Sequence, residues 1–415
     1  MSSLNAALFE ALGARFPSVT VSQAARFLSM FDLSKGELSS TAAIEIAREM
    51  RGDARAIAGE IVRDLSPKPF GSWKIVAGYM VLSDASNAVL MEEAALSDAL
   101  SSIQVTPEST RRVLCLVPDA TSPVYARLRL IACAAVQALL AVAYEGRCDL
   151  GFNPEESQIV SSAPEVVALV VQAVERCFRH ESERRVECQI KHEAGATCSA
   201  MTVWTSHHYH DRLSAEVKRA FVDARLSGVS SLRIPGDGWL LSKERALSEL
   251  LSAAALEKVI RRLSSEEQWI RWIHHFASSI PSGDLDPSVA LYDECASPRW
   301  GVQALYQRVS QLGAPDLPGE PRALREILLK GALRERALAI RALFLPALTA
   351  RAVAEGDVVS WSAVVQDFAA IGHLRLNSPH YRAALREGGI GEHVVQINAG
   401  LALGLAAILP AFTEV

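Results

Sequence analysis

The chain has 415 residues, enough to bury a large core and to form two or three domains. Apolar residues make up 50% of it and charged residues 21%, a balance that excludes an intrinsically disordered chain. The net charge of -5 gives no overall attraction to nucleic acid, so we expect no DNA partner, and any RNA contact would need a local basic face.

The sequence carries no export or membrane signal that we recognise. The N-terminal stretch MSSLNAALFEALGARFPSV lacks a basic start followed by an apolar run, and INAGLALGLAAILPAF is too short and Gly-interrupted for a membrane span. Seven cysteines include no Cys-x-x-Cys pair, which is typical of reduced thiols. We therefore predict a cytoplasmic protein without a membrane partner.

Residues 4–66 predict helices, because LNAALFEALGARF and TAAIEIAREMRGDARAIAGEIVRDL repeat apolar positions at intervals of three and four. GSWKIVAGYMVLSD is strand-like. Together these segments predict a module of helices and a small sheet over residues 1–105. A strand pattern, RRVLCLVPDATSP, follows, and LRLIACAAVQALLAVAYEG predicts a long apolar helix closed by Gly146.

A buried strand, a tight turn and an apolar helix form the opening unit of a nucleotide-type α/β fold. SAMTVWTS and SSLRIP predict further strands, while DRLSAEVKRAFVDARL and SKERALSELLSAAALEKVI predict helices. We therefore predict a Rossmann-like domain over residues 106–262. Helical patterns dominate residues 263–415.

The stretch CFRHESERRVECQIKH contains four side chains of zinc-ligand type. They are Cys177, His180, Cys188 and His192. Their spacing is not that of a standard zinc finger, and RRVECQIKHEAGATCSAMTVW alternates like a hairpin that turns at residues 193–195. We favour a buried hairpin without metal, and zinc remains the alternative.

The order of these segments resembles the class I arginyl-tRNA synthetases. The first module is similar to the family's additional N-terminal domain, which grips the elbow of the tRNA. LVPDATSPVYARLRLIACAAVQALLAVAYEG is similar to the strand, signature loop and helix that open the catalytic domain. Here Ser122 and Pro123 are kept, whereas Val124, Ala126 and Arg127 replace the signature histidines and glycine. The resemblance implies a tRNA partner and an ATP site that has lost its phosphate-binding groups.

Two further motifs of the family have counterparts. TVWTSHHYHDRLSAEVKRAF resembles its strand, His-His-Gly-His stretch and helix, so the histidines at 207, 208 and 210 line up. VSSLRIPGDGWLLSKERALSELL resembles the Lys-Met-Ser-Lys loop, of which Ser242 and Lys243 remain. The segment that holds the substrate guanidinium in the family shrinks to AGATCSAM. Too few residues follow the terminal EGDVVSW motif for a full anticodon-binding bundle, which we expect to be absent or reduced.

The lost motifs leave three hypotheses. The first is a peptide-bond-forming enzyme that takes aminoacyl-tRNA as its activated substrate, as cyclodipeptide synthases do; these resemble class I synthetases without ATP motifs. It would use arginyl-tRNA and a second aminoacyl-tRNA, and would need neither cofactor nor metal. The second is a non-catalytic pseudo-synthetase that binds tRNA or a partner protein. The third is a residual ATP-dependent ligase.

Under the first hypothesis, His207 or His208 is the general base, because imidazole titrates near neutral pH. Ser122 or Ser206 could carry an acyl group, and Tyr125 could orient the amine. Each has a structural alternative, such as helix capping for Ser122. The remaining predicted contacts are Asp119, Thr121, Tyr209 and His210 for the substrate, and Arg127, Arg129, Ser242 and Lys243 for tRNA or phosphate.

Overall fold

A computed structural model describes the chain in fifteen segments. They are residues 11–12, 38–40, 42–65, 72–82, 109–115, 124–145, 148–152, 165–189, 197–204, 231–233, 253–278, 298–311, 333–356, 358–386 and 392–412. Two compact units are built from discontinuous stretches. The first comprises Met1–Ser102, Leu305–Ala347 and Asp367–Ile408, and the second comprises Ile103–Ala304, Leu348–Gln366 and Leu409–Val415. The three-part division predicted from the sequence stays a prediction.

The first unit contains a small antiparallel sheet with two helices. The elements are β1 (Leu38–Ser40), α1 (Ala42–Met50), α2 (Ala54–Leu65), β2 (Trp73–Val76) and β3 (Tyr79–Leu82), with the strand order β1-β3-β2. The prediction of helix throughout residues 4–66 is wrong at β1, which pairs with β3. A three-residue strand is too short to leave a periodic pattern beside a strongly helical one.

The boundary between α1 and α2 follows from local chemistry. Arg51 has a φ of 52°, a left-handed conformation that ends α1. Asp53 then caps α2, since its Oδ1 accepts a hydrogen bond of 2.9 Å from the Arg55 amide. The helical stretch predicted over residues 41–65 therefore consists of two helices.

A four-stranded parallel sheet forms the centre of the second unit. Its strands are β4 (Ser109–Cys115), β5 (Cys148–Phe152), β6 (Thr197–Trp204) and β7 (Ser231–Arg233), in the order β5-β4-β6-β7. The predicted strands β4, β6 and β7 are confirmed. The sequence reasoning missed β5, whose CDLGF stretch contains an acidic residue and a glycine that weaken a strand pattern.

Helix α3 (Val124–Glu145) connects β4 to β5, and its described side chains are mostly buried against the sheet and the helices around it. Its sequence is rich in Ala and Leu, which favour helix formation, and apolar residues lie on every face, as expected of a core helix. Residues Arg127–Glu145 are long and apolar enough to span a membrane. However, 83% of the apolar stretch is buried inside the protein, and a core helix can have the same length and composition.

Helix α4 (Glu165–Gln189) connects β5 to β6. It corrects the predicted hairpin, because residues 184–189 continue the helix instead of forming a first strand. The residues predicted for the second arm do form a strand, β6, but it pairs in parallel with β4, and the predicted turn lies outside the described residues. The end of α4 is rich in charged residues. Because polar and apolar residues alternate there over a few positions, the sequence pattern resembled that of a strand.

Helices dominate the described chain from residue 253 onwards, as the sequence predicted. They are α5 (Ala253–Ile260), α6 (Glu266–Ser278), α7 (Pro298–Gln311), α8 (Leu333–Glu355), α9 (Val358–Leu376), α10 (Pro379–Arg386) and α11 (Glu392–Ile408), followed by a 3-10 turn at Leu409–Ala411. Helix α6 begins with a capping box. Ser265 Oγ accepts a hydrogen bond from the backbone N–H of Gln268 at 3.2 Å, and Gln268 Oε1 accepts one from the backbone N–H of Ser265 at 3.3 Å.

Each unit has its own buried contacts among these helices. In the first unit, the Tyr381 hydroxyl donates to Asn398 Oδ1 at 2.7 Å and joins α10 to α11. In the second, the indole of Trp361 donates to Thr349 Oγ1 at 3.0 Å, and its ring stacks on Phe412 with centroids 5.5 Å apart. The buried indole thus has both its apolar and its polar requirements met.

Candidate functional site

The order of the parallel strands reverses between β4 and β6. The chain first crosses from β4 to β5 on one side, and β6 then returns to the other side of β4. In open α/β sheets, such a reversal leaves a crevice outside the carboxyl ends of the two strands, where ligands bind. The register pairs the last residues of the two strands, Cys115 and Trp204. The candidate site therefore lies beyond this pair.

Most of the predicted catalytic and substrate-binding residues follow these two strand ends in the sequence. One group leads from β4 to α3, and the other follows β6. They lie outside the described residues: Asp119, Thr121, Ser122, Ser206, His207, His208, Tyr209 and His210. Tyr125 lies in the first turn of α3, while Ser242 and Lys243 also lie outside the described residues.

A buried hydrogen-bond network holds the carboxyl end of β6. Trp204 Nε1 donates to Gln137 Oε1 at 2.6 Å. The amide nitrogen of Gln137 donates to Thr202 Oγ1 at 3.0 Å and to the backbone oxygen of Val353 at 2.9 Å. Gln137 and Thr202 are fully buried, and Trp204 is nearly so. The network ties α3, β6 and α8 together immediately before the histidine stretch.

Two arginines lie in the first two turns of α3. This N-terminal end of the helix follows the carboxyl end of β4 in the chain. Arg127 is 2% exposed and Arg129 is 0% exposed. A charged side chain is rarely so deeply buried unless it is paired with an opposite charge or a hydrogen-bond acceptor. The sequence predicted these arginines as contacts for tRNA or phosphate, and the structure places them inside the unit, not on its outer surface.

A second buried arginine site, at the amino edge of the sheet, was missed by the sequence reasoning. Arg111 in β4 forms a bidentate pair with Glu145, the last residue of α3, with both N–O distances at 2.7 Å. Its third nitrogen lies 3.5 Å from the backbone oxygen of Ala354. The arginine pair RRVLC was the available signal, because alternation along a strand buries one of two neighbours. Arg112 is indeed exposed.

Cys148 lies beside this ion pair, directly opposite Arg111 in the register of β4 and β5. Burial raises the pKa of the Cys148 thiol, and the Arg111 guanidinium offsets only part of the shift. A thiol held neutral in this way is a poor nucleophile. Cys148 therefore serves packing and is no candidate for an acyl carrier.

The predicted zinc-type residues are not brought together by the part of the chain that the structure describes. Cys177 is buried, whereas His180 is exposed and its Nδ1 lies 3.6 Å from Glu266 Oε2. Cys188 lies on α4, and His192 lies outside the described residues. Among the described residues, no three His, Cys, Asp or Glu side chains are grouped as metal ligands would be.

No protein-family model matches the chain, and no curated protein matches it significantly. Among solved structures, it is similar to the arginyl-tRNA synthetase of Thermus thermophilus. The two share 13% identity over 91% of this chain and 94% of that chain, with a TM-score of 0.38. This likeness is no more than a distant, synthetase-like similarity of fold, and it assigns no activity or residue role.

Proposed function

We propose that this protein is an aminoacyl-tRNA-dependent enzyme of the cyclodipeptide synthase type. It would join two aminoacyl groups, the first from arginyl-tRNA, without ATP. The observation that carries the proposal is the reversal of strand order at Cys115 and Trp204. The candidate catalytic residues follow these paired ends by a few positions, so we expect the two groups to approach each other over the crevice.

The replacement of the family's signature supports a reaction without ATP. A glycine there lets adenine lie against the backbone, and two histidines stabilise the phosphates in the family that this chain resembles. Here Ala126 adds a side chain, Val124 has no polar group, and Arg127 is buried in α3. An aminoacyl ester is already activated, so the lost groups are not needed for peptide-bond formation.

The proposed reaction has two acyl-transfer steps. In the first, the α-amino group of one aminoacyl residue attacks the ester carbonyl carbon of the other. A C–N bond forms, the ester C–O bond breaks, and the terminal ribose hydroxyl of one tRNA leaves with the proton. In the second, the α-amino group of the transferred residue attacks the remaining ester carbonyl carbon, which closes the ring and releases the second tRNA with the proton.

The candidate residues have distinct parts in these steps. His207 or His208 would accept the amine proton and return it to the ribose oxygen. Ser122 or Ser206 would carry the first acyl group if the reaction proceeds through a covalent intermediate. Asp119 would pair with the substrate's guanidinium or ammonium group, and Tyr125 or Tyr209 would orient the amine, while Thr121 and His210 would line the pocket.

The test is the incubation of the full chain with a pool of charged tRNAs, followed by mass spectrometry for cyclic dipeptides. We expect an arginine-containing product from the wild type, and none from His207→Ala with His208→Ala. His380→Ala is the matched control, because His380 is an exposed residue of α10, and it should leave the yield unchanged. Circular dichroism would verify that each variant folds.

Two other outcomes would replace the proposal. If the protein binds tRNA but yields no product from any charged tRNA, it is a pseudo-synthetase that binds tRNA or a partner protein. If it catalyses arginine-dependent exchange between ATP and pyrophosphate, it is a residual ligase, and Lys243 becomes the residue to test first.

A further inference from the structure

We propose that Arg129 binds a phosphodiester of the RNA substrate at the carboxyl edge of the parallel sheet. The proposal rests on the proposed function for the identity of the substrate, and on the following observations for the site. Arg129 is 0% exposed, and its Nε, Nη1 and Nη2 atoms have no hydrogen-bond partner among the described residues. Within the described part of the chain, all three nitrogens of this buried cation are thus left without an acceptor.

Such an arrangement is unfavourable in the protein alone. A buried charge normally has a counter-charge and hydrogen bonds, because desolvation is not otherwise compensated. Arg111 is the internal comparison, since it is also buried but makes bidentate contact with Glu145 and a third contact with a backbone oxygen. No described residue gives Arg129 an acceptor of the kind that Glu145 gives Arg111, and we assign that part to an oxyanion of the substrate.

The position of Arg129 agrees with an anion site. It lies in the second turn of α3, the helix that follows β4 across the reversal of strand order. Side chains on a helix lean towards its N-terminus, so the guanidinium is expected over the first turn, where free backbone amides also favour anions. A guanidinium binds two oxygens of a phosphate or a carboxylate in the same planar geometry.

The chemistry of the substrate selects between these two oxyanions. In an aminoacyl-tRNA, the carboxyl group of the amino acid is esterified, so the acceptor end presents only phosphodiesters as anions. A free carboxylate would come instead from an amino acid that is not attached to tRNA, which is the substrate of a ligase. Hence the identity of the anion at Arg129 also reports which kind of substrate the protein uses.

The probe is an RNA hairpin that ends in CCA and carries no amino acid. The experiment measures its binding to the full chain, and the thermal unfolding of the chain, at constant ionic strength. We expect Arg129→Met to weaken hairpin binding by about tenfold or more. Arg129→Lys keeps the charge but cannot bind two phosphate oxygens in one plane, so we expect it to have an intermediate effect. Arg112→Met is the control, because it also removes one positive charge from the same unit, but from an exposed position, and this variant should bind like the wild type.

The melting temperature without RNA gives a second readout. Arg129→Met should melt no lower than the wild type, because it removes a buried cation with no acceptor. A markedly lower melting temperature would show that Arg129 serves the fold and would overturn the proposal, as would unchanged hairpin binding by Arg129→Met.

A third arm identifies the source of the anion. If L-arginine stabilises the wild type while agmatine, which lacks the carboxylate, and the hairpin do not, Arg129 binds a free carboxylate and the phosphodiester assignment is overturned. Failure of the proposed function is separate: the wild type would then give no cyclic dipeptide, while the loss of hairpin binding in Arg129→Met would persist.

Discussion

The indole nitrogen of Trp204 donates a hydrogen bond of 2.6 Å to the side-chain oxygen of Gln137. Trp204 is the last residue of β6, and Gln137 lies in the middle of α3, so this bond joins the strand end that precedes the histidine stretch to the central helix. Gln137 has all its hydrogen-bonding groups in use inside a buried region. It therefore fixes the strand end that the histidine stretch follows in the sequence.

We predict that Gln137→Met lowers the free energy of unfolding by about 2–4 kcal/mol, because it leaves the indole N–H of Trp204 and the oxygen of Val353 without their partner. Urea denaturation measures this. Thr202→Val is the control: the Gln137 amide keeps its bond to Val353, so we expect a loss of about 1 kcal/mol. Equal losses in both variants would contradict the central place of Gln137.

Arg111→Met should destabilise the protein by about 2–4 kcal/mol, since it removes both hydrogen bonds from a Glu145 side chain that is only 22% exposed. Chemical denaturation provides the value. Adding Glu145→Met should recover much of the loss, because two apolar side chains replace the buried pair. The matched control is Arg112→Met, whose partner Asp149 is 60% exposed and 3.6 Å away, and which should change stability by less than about 0.5 kcal/mol.

The sequence was sufficient for elements whose pattern is local. The apolar run that ends at Gly146 predicted α3, and the β-branched and aromatic residues before the histidine stretch predicted β6. It was insufficient where a neighbour decides the structure. Strand β5 is short and polar, and it is a strand because β4 supplies its hydrogen bonds. The end of α4 continues a helix in spite of its strand-like alternation.

The same distinction holds for the candidate site. Motif order placed the candidate residues after β4 and β6, but it could not show that the ends of these strands are neighbours, which depends on the order of strands in the sheet. The pair Arg111–Glu145 joins residues 34 positions apart, and its geometry depends on how α3 lies on the sheet. The burial of Arg129, which carries the anion proposal, is likewise a property of packing and leaves no mark in the local sequence.

Gly404→Ala should destabilise the first unit by about 1–3 kcal/mol, because a methyl group in α11 would overlap the ring of Phe368 in α9. Thermal unfolding provides the measurement, and Phe368→Leu in the same chain should relieve part of the loss. Gly59→Ala is the matched control within helix α2. Its added methyl group would meet Ile75 at an ordinary 3.8 Å, so we expect a gain of up to about 1 kcal/mol from helix propensity. A similar change for both glycines would contradict close packing at Gly404.

Stability should fall in alkaline solution because of Cys148. Burial raises the pKa of this thiol above its ordinary value of 9.0, so above that pH the unfolded chain loses a proton that the folded chain retains. Unfolding is then favoured by about 1.4 kcal/mol for each further pH unit until the folded thiol itself ionises. Below pH 9 the contribution of the neutral thiol is fully present.

Urea denaturation at pH 7 to 11 measures this slope, and Cys148→Ala should reduce it without changing the slope below pH 9. Tyr381 adds to the same trend, since burial raises its pKa. Tyr381→Phe should therefore also flatten the alkaline limb, beginning about one pH unit higher because an ordinary phenol ionises near pH 10. An alkaline slope that neither substitution changes would place the responsible groups elsewhere in the chain.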